Sequence, residues 1–490
     1  MAIPKRNLPE ANILINSMRA MGYTFESAIA DVIDNSICAG AKNIKILMPS
    51  SALEKDVCIF DDGEGMSYSM LMEAMKYGSN IPNRKSNDLG RFGLGLKSAS
   101  LSQCRKLTVV SKKNENITAL QWDIDYVEQE KDWVVKELTS EEIQSLSHVD
   151  LLENISHGTL VIWSNFDTLD TTRGSVYTCL NKLITPLGEY LSLIFHRFLA
   201  GKEISKVNIW INFCELTPRD PFLENHQKTR INKKIPIPIQ DADGNEQIVT
   251  AQTFNLPHLS DLSPEDQKLI GGIETMKTQQ GFYVYRYYRL IVWGSWFGMP
   301  REELYKYARI KVDIPNTLDD IWHIDIKKQH ATIPRKVQER LKTAIQEVTQ
   351  QSRKKITYRG SKTPLEKRLW YPVNNRGVSE FRINREASIF DLIKGIDDKS
   401  RKIFDMILDV LESNIPYNDI YNNMASKGGS LADLPADPEH LANLECMAKL
   451  LLQTEMMAGA VDRKSILDKI FADEPFCSAM QIYEKLLEEQ

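Results

Sequence analysis

The first 165 residues carry two kinds of hydrophobic pattern. Phe25, Ile29, Val32 and Ile33 recur at helical spacing, which predicts a helix over residues 24–39 with one packed face. Several of the apolar runs that follow lie close enough in sequence to pair as hairpins, so we expect a mixed or antiparallel sheet. The predicted strands are 43–48, 56–60, 106–111, 117–125, 133–138 and 159–163.

The pattern changes beyond residue 172. A long helical pattern covers 173–200, and a second α/β block follows. This block has strand-like runs at 207–213, 281–293 and 322–327, and a helix over 334–353. We therefore predict four parts: 1–172 and 173–353 as α/β domains, 354–388 as a linker with short strands, and 389–490 as a helical region.

Length, charge and cysteine content narrow the class of protein. The 490 residues exceed the ~150 residues of a typical domain about threefold, and 42% hydrophobic residues are ordinary for a globular chain. A net charge of −5 means that any nucleic-acid surface must be a local patch. We find neither a signal peptide nor an apolar run of the ~18 residues needed to span a membrane. Seven scattered cysteines without a CxxC pair fit reduced thiols in a cytoplasm.

Glycines cluster ahead of a helical pattern. Although the chain has only 24 glycines, six of them fall between positions 63 and 95. The last three, Gly90, Gly93 and Gly95, lead into a helix whose first turn carries Lys97 and Ser98. Free backbone N–H groups and the positive end of a helix are what a phosphate group needs. The spacing fits neither a Walker A loop nor a dinucleotide fingerprint.

Two acidic segments add further chemistry. Asp61 ends a hydrophobic run and is followed by Gly63 and Gly65. A carboxylate at that position can accept a hydrogen bond from an exocyclic amine, as adenine recognition requires. On the predicted helix over 24–39, Asp31 and Asn35 are one turn apart. A carboxylate and an amide with this spacing can orient a water molecule and hold a metal ion, respectively.

The order and spacing of these segments resemble the N, G1, G2 and late threonine motifs of the GHKL ATPases. This superfamily includes DNA gyrase B, the large heat-shock chaperones, histidine kinases and MutL. The phrase from Gly90 to Ser98 is most similar to the MORC branch and its bacterial relatives. The resemblance covers about residues 1–350, and it implies an α+β fold. We expect a GHKL (Bergerat) ATPase α/β sandwich, then a transducer-like α/β domain and a helical C-terminal region. The matching segments are Asp31-Val-Ile-Asp-Asn35, Asp61-x-Gly63-x-Gly65, Gly90-x-x-Gly93-x-Gly95-x-Lys97-Ser98 and His157-Gly158-Thr159.

The resemblance implies a site for ATP and Mg²⁺. Asp61 would bind the adenine amine with help from Thr159, and Asn35 would coordinate the metal ion. Residues 78–88 would form a mobile lid over the nucleotide. The other nucleotide-binding residues would be Gly63, Gly65, Met66, Gly90, Arg91, Phe92, Gly93, Leu94, Gly95, Leu96, Lys97 and Ser98.

The catalytic residues implied by the resemblance include one departure from the family. Asp31 stands where the family has a glutamate that activates water, and its side chain is one methylene shorter. A general base must lie within hydrogen-bond reach of its proton, so we expect slow hydrolysis. The resemblance also implies a lysine from the second block that reaches the γ-phosphate, and Lys328 is the first candidate, followed by Lys327.

These inferences predict a cytoplasmic ATPase without membrane attachment that closes as a homodimeric clamp when ATP binds. Family analogy suggests a DNA client and a role in restriction or antiphage defence beside nuclease or other operon partners. Basic segments at 228–234 and 353–362 are candidate contacts to DNA, although solvated loops explain them as well. The aromatic residues of 282–288 fit a base-stacking platform or, more simply, a sheet core. Two alternatives stay open: a non-hydrolysing ATP-gated scaffold or chaperone, and a protein kinase, against which the second block argues.

Overall fold

A computed structural model describes most of the chain. The described residues are 9–20, 22–78, 95–241, 244–257, 261–298, 307–319, 322, 334, 337, 339, 368–375, 378–393, 395–417, 420, 438–457 and 462–488. The chain forms two compact units, Met1–Arg353 and Lys354–Gln490.

The helices alternate with the strands in the first unit and dominate the second. The helices are α1 Ala11–Arg19, α2 Phe25–Cys38, α3 Tyr68–Met75, α4 Gly95–Gln103, α5 Ile124–Glu130, α6 Ser140–Gln144, α7 Val176–Ile194, α8 His196–Ala200, α9 Pro264–Leu269, α10 Ile273–Thr278, α11 Asp398–Ser413, α12 Pro438–Met457, α13 Arg463–Ile470 and α14 Met480–Glu488. The strands are β1 Asn43–Leu47, β2 Val57–Asp61, β3 Cys104–Lys113, β4 Asn116–Asp123, β5 Lys136–Glu137, β6 Gly158–Phe166, β7 Asn208–Ile211, β8 Cys214–Glu215, β9 Arg230–Ile231, β10 Ile235–Gln240, β11 Glu246–Asn255, β12 Gly281–Arg286, β13 Arg289–Ser295, β14 Ala308–Ile314, β15 Trp370–Asn375 and β16 Val378–Ile383.

Helix α2 confirms the prediction made from its hydrophobic spacing. Thr24 caps its first turn and forms a reciprocal capping box with Ser27, which satisfies backbone N–H groups that a helix start leaves open. Ala28, Ile29 and Ile33 are completely buried, so the apolar face packs into the core. The polar residues of the other face lie close to the strand ends described below.

The first sheet is mixed, which is one of the two arrangements predicted. Within the described residues it has eight strands in the order β5-β4-β3-β6-β2-β1-β7-β8. Strand β1 pairs with β7 in parallel, and the other pairs are antiparallel. The predicted strand over 133–138 is reduced to Lys136–Glu137. Two strands of this sheet, β7 and β8, lie beyond the predicted domain boundary at residue 172, a division that remains a prediction.

Strand β2 lies at the centre of this sheet and is buried on both faces. Val57 and Ile59 join the core that α2, α4 and α7 share, whereas Cys58 and Phe60 join a smaller core on the opposite face. Because alternate residues of a strand point to opposite faces, every residue of β2 up to Asp61 is shielded from solvent. The strand therefore carries Asp61 into a desolvated position.

The predicted helix over 173–200 is interrupted. Helix α7 ends at Ile194, and α8 begins at His196, so the prediction of one continuous helix was wrong at this point. Phe195 has a φ of −103° and is fully buried together with Phe198. The turn places both aromatic rings in the core, where they contact each other edge to face.

The second sheet lies in the same unit. In the described residues its strand order is β10-β11-β14-β12-β13, with β9 paired to β11. The prediction of a single strand over 281–293 was wrong, because β12 and β13 form an antiparallel hairpin. Its turn, Tyr287-Tyr288, has positive φ at both residues, and turns of this backbone type are usually signalled by Asn or Gly.

The aromatic residues of this hairpin are core residues rather than a base-stacking platform. Phe282, Tyr283 and Tyr285 are at most 1% exposed. Phe282 faces the core of the second sheet, while Tyr283 and Tyr285 join the core shared with the first sheet. The simpler interpretation is therefore confirmed for these three residues, while Tyr287 and Tyr288 at the turn are partly buried against the shared core.

The second unit contains the helical C-terminal region that the pattern predicts. Strands β15 and β16 form a hairpin, and helices α11 to α14 follow. Leu444, Leu451, Leu467 and Phe476 belong to its core. Among the described residues of both units, no helix is long and apolar enough to cross a membrane.

Candidate nucleotide-binding site

The structure brings together the predicted site residues that it describes. Asp31 and Asn35 lie on α2, Asp61 ends β2, and Thr159 lies at the start of β6 as the register partner of Asp61. Helix α4 begins at Gly95, and a side chain at that position would come within 3.6 Å of Asp31 Oδ2. The predicted residues Gly90, Arg91, Phe92, Gly93, Leu94, Lys327 and Lys328, and the lid residues 79–88, lie outside the described residues.

Asp61 is the centre of the proposed adenine contact. Its carboxylate accepts hydrogen bonds from Ser36 Oγ at 2.8 Å and from the backbone N–H of Gly63 at 2.9 Å. Burial raises the pKa of Asp61 to about 6, while these hydrogen bonds favour the charged form and limit the increase. The structure therefore holds one oriented carboxylate at the end of β2.

The turn after Asp61 needs its glycines because other groups approach closely. A side chain on Gly65 would lie 2.0 Å from the carbonyl oxygen of Lys112, and the residue has a φ of +60°. A side chain on Gly63 would lie 2.8 Å from Asp61 Oδ1. Only glycine fits the crowded left-handed position of Gly65 without strain. The turn is thus built against β3 and against the carboxylate itself.

Hydrogen bonds from neighbouring strands hold this turn. Ser111 Oγ accepts from the backbone N–H of Met66 at 2.8 Å and lies 3.1 Å from Thr159 Oγ1. His157 Nδ1 donates to the carbonyl oxygen of Gly63 at 2.7 Å. The threonine, the serine and the histidine therefore tie the predicted G1 turn to β3 and β6.

The first turn of α4 contributes a buried hydroxyl and a buried cation. Ser98 is 1% exposed, and its hydroxyl has no hydrogen-bond partner among the described residues. Leu96 is partly buried against the core. Lys97 Nζ donates to the carbonyl oxygen of Ala74 at 2.8 Å, and burial lowers the pKa of this lysine to about 8. The described contact of Lys97 is therefore with α3, the helix that precedes the lid.

Asp31 is buried and surrounded by donors. Tyr23 donates its hydroxyl hydrogen to Asp31 Oδ2 at 3.0 Å, and Arg289 Nη2 lies 3.7 Å from Asp31 Oδ1. Arg289 Nε also lies 2.8 Å from Asp34 Oδ1, one turn further along α2. Both carboxylates thus share a guanidinium that comes from the second sheet.

Asn35 is suited to a metal ion that is held mainly by phosphates. Its side chain is exposed on α2, one turn from the buried Asp31. Mg²⁺ prefers oxygen ligands and usually takes only one or two from a protein at nucleotide sites. In the described part of the chain, no group of three His, Cys, Asp or Glu side chains is placed to hold a metal ion. A site made of one amide oxygen from Asn35 and the oxygens of bound phosphates fits this preference of Mg²⁺.

The comparison with known families agrees with this geometry. Residues 23–159 match the family model described as histidine kinase-, DNA gyrase B- and HSP90-like ATPase. This part of the chain is therefore similar to the GHKL ATPases, which confirms the resemblance seen in the motifs. The match includes α2, the turn after β2 and the start of β6.

A similar protein supports the MORC-like assignment. The chain is 32% identical over 118 residues to ATPase morc-1 of Caenorhabditis elegans. The similar segment makes up 24% of this chain and 14% of the C. elegans protein. The two proteins are therefore alike over one segment, and most of each lies outside the similarity.

Several residues of the site were not predicted from the sequence. Ser36, Ser111, Tyr23 and Arg289 contact predicted site residues through their side chains. A serine or an arginine carries no spacing signal of its own, and Ser111 and Arg289 lie far from α2 in the chain. His157 lies in one of the segments that match the family, next to Gly158 and Thr159. This position was the only feature of the sequence that could have indicated its role.

Proposed function

We propose that this protein binds ATP with Mg²⁺ and hydrolyses it slowly. The observation that carries the proposal is the oriented, buried carboxylate of Asp61 beside the glycine turn. An acceptor that is already desolvated and held by two donors needs no reorganisation to receive the adenine amine. Thr159, its register partner, supports the same contact.

The chain's own residues would divide the chemistry among three elements. Asp61 would accept from adenine, and the first turn of α4 would supply backbone N–H groups and the Ser98 hydroxyl to phosphate oxygens. Asp31 would take the proton of the attacking water. Asn35 would hold Mg²⁺, which when bound neutralises phosphate charge. Lys328 or Lys327 would add a cation at the γ-phosphate.

We also propose that ATP closes two copies of the chain into a clamp around DNA. GHKL ATPases often dimerise, and the lid predicted over 78–88 would become ordered on the γ-phosphate. Lys228 and Lys234 near strand β9 are exposed and pair with Asp261 and Glu203, so a phosphate backbone would have to replace these carboxylates as their partner. A role in restriction or antiphage defence, with nuclease partners, follows only from analogy with the family.

The test compares two neighbouring aspartates. Asp61→Asn should abolish ATP binding, measured by calorimetry with Mg²⁺ present, because an amide can present a donor where adenine also donates. Asp62→Asn is the matched control, since Asp62 accepts from the backbone N–H groups of Lys42 and Asn43 instead. Unchanged affinity in the Asp61 variant would remove the adenine assignment.

One observation favours the alternative of a non-hydrolysing ATP-gated scaffold. Both oxygens of Asp31 already face donors, Tyr23 on one side and Arg289 on the other. A carboxylate engaged in this way has less lone-pair capacity left to accept a proton from water. Single-turnover measurements with excess protein distinguish the two functions, because a scaffold would leave bound ATP intact.

A further inference from the structure

Arg289 is the first residue of β13, directly after the turn at Tyr287-Tyr288. Its side chain is 2% exposed, although arginine is rarely buried without partners. The guanidinium carbon lies 5.6 Å from the centre of the Phe195 ring, which covers one side of the group. The hairpin of the second sheet therefore holds a buried cation against the helices of the first sheet.

The cation reaches two carboxylates on α2. Arg289 Nε lies 2.8 Å from Asp34 Oδ1, and Nη2 lies 3.7 Å from Asp31 Oδ1. Both aspartate side chains are 1% exposed. The shorter contact is with Asp34, so Asp34 carries the stronger ion pair and Asp31 faces the outer edge of the guanidinium.

The other oxygen of Asp31 points toward the nucleotide side of the site. Tyr23 donates to Oδ2 at 3.0 Å, and the start of α4 at Gly95 lies next to the same oxygen. Tyr23 thus holds one oxygen of the carboxylate by a hydrogen bond, and the charge of Arg289 acts on the other oxygen across 3.7 Å. The position of Asp31 therefore involves a contact from the second sheet as well as its own helix.

Charge balance shows why the arginine matters. Without it, two buried carboxylates one helical turn apart would face each other, which is strongly unfavourable. Burial disfavours the charged form of Arg289, but Asp34, Tyr190 and Asp31 together outweigh burial and raise the pKa of the guanidinium. The arginine is thus a fixed positive charge that the two aspartates require.

We propose that Arg289 is a positioning residue for hydrolysis, which orients Asp31 and makes the hairpin of the second sheet part of the nucleotide site. The inference rests on the proposed function, since it assigns Asp31 the role of base. Strand β12 pairs with both β13 and β14, so the hairpin is held by the sheet. A shift of this hairpin relative to α2 would displace the carboxylate, and a misplacement of about 1 Å can cost roughly 100-fold in rate.

The experiment uses the full chain and a matched control on the same hairpin. Arg289→Met should lower turnover at least tenfold while the affinity for a non-hydrolysable ATP analogue changes less than threefold. Arg289→Lys keeps the charge but loses the fork, and it should fold and show intermediate turnover. Arg286→Met is the control, because Arg286 is the register partner of Arg289 but pairs with Asp319 at 2.7 Å. Its turnover should stay within threefold of the parent.

A second set of variants separates positioning from a merely structural role. In the Asp31→Ala background, Arg289→Met should have no further effect on turnover, because the residue that it positions is gone. Independent, multiplicative losses in the double variant would overturn the proposal, and so would an Arg286→Met variant as impaired as Arg289→Met.

The proposal can also be tested if the parent protein turns out to be inactive. An inactive parent would refute the proposed hydrolysis itself. Thermal unfolding without nucleotide would then compare Arg289→Met, Asp34→Asn and their double variant. The double variant should lose less stability than the two single losses together. Additive losses would show that the contact does not couple the second sheet to α2, and the proposal would fail on that ground.

Discussion

Ser36 donates its hydroxyl hydrogen to Asp61 Oδ2 at 2.8 Å. This hydrogen bond ties the last turn of α2 to the end of β2, and both side chains are buried. The helix that carries Asp31 and Asn35 therefore also aims the carboxylate proposed to bind adenine. Movement of α2 would change the proposed adenine, metal and water contacts together.

The pKa of Asp61 predicts how nucleoside binding depends on pH. Burial raises this pKa to about 6, and only the ionised carboxylate is a pure acceptor for the adenine amine. We expect the affinity for adenosine to be constant above pH 7 and to fall about tenfold per pH unit below 6. Calorimetry with adenosine avoids the titration of the phosphates. Affinity that stays constant down to pH 5 would contradict the assignment.

Gly65 and Gly40 form a matched pair for a stability test. Both have positive φ. A side chain on Gly65 would lie 2.0 Å from Lys112 O, whereas a side chain on Gly40 would meet no neighbouring heavy atom within 4 Å. Gly40→Ala should cost about 1 kcal/mol from backbone strain alone. Gly65→Ala should cost at least about 2 kcal/mol more, measured by scanning calorimetry. Equal losses would mean that the turn does not pack against β3 as described.

Asp31 should affect turnover without affecting ATP affinity. General base catalysis supplies about 10²–10⁴-fold, so Asp31→Ala should lower turnover by up to that factor while the affinity for ATP is retained. Asp31→Glu restores the residue of the related ATPases and should keep or raise activity. Phosphate release under saturating ATP is the measurement. A parental rate in Asp31→Ala would place the base elsewhere.

Dimerisation should require the γ-phosphate. If the lid becomes ordered on that group, a non-hydrolysable ATP analogue should produce dimers in analytical sedimentation, whereas ADP should not. Asp61→Asn should remain monomeric with either nucleotide. A monomer at saturating analogue would argue against the clamp, and a dimer without nucleotide would argue against gating by ATP.

Binding to DNA should depend on salt and not on sequence. Lys228, Lys233 and Lys234 are exposed, and Lys228 and Lys234 pair with Asp261 and Glu203. Their joint replacement by glutamine should therefore reduce the slope of log affinity against log salt by at most about three. Fluorescence anisotropy with two unrelated duplexes at several salt concentrations measures this slope. The control replaces Lys42, Lys55 and Lys131, which are equally exposed. A steep preference for one duplex would contradict contacts limited to the phosphate backbone.

The local features of the site were predictable because they depend on residues close together in the chain. Helical spacing indicated α2, and the segment from Asp61 to Gly65 indicated a strand end followed by a tight turn. The turn itself requires a left-handed backbone at Gly65, so the glycine in the sequence was enough to predict the turn. The same holds for the helical C-terminal region, whose hydrophobic period needs no tertiary partner to be visible.

What the tertiary structure alone decided are the contacts between distant segments. The hairpin turn at Tyr287-Tyr288 takes positive φ without glycine, and the Tyr288 ring packs against Arg197 and Phe198 in this conformation. Arg289 follows that turn and meets Asp31 on α2, a contact that no local pattern contains. Local backbone preferences determine the turns at the glycines and the periods of the helices, so both are visible in the sequence. The burial of one cation between two carboxylates is settled only when two sheets close on a shared core, because desolvation and pairing act on groups brought together by the whole fold.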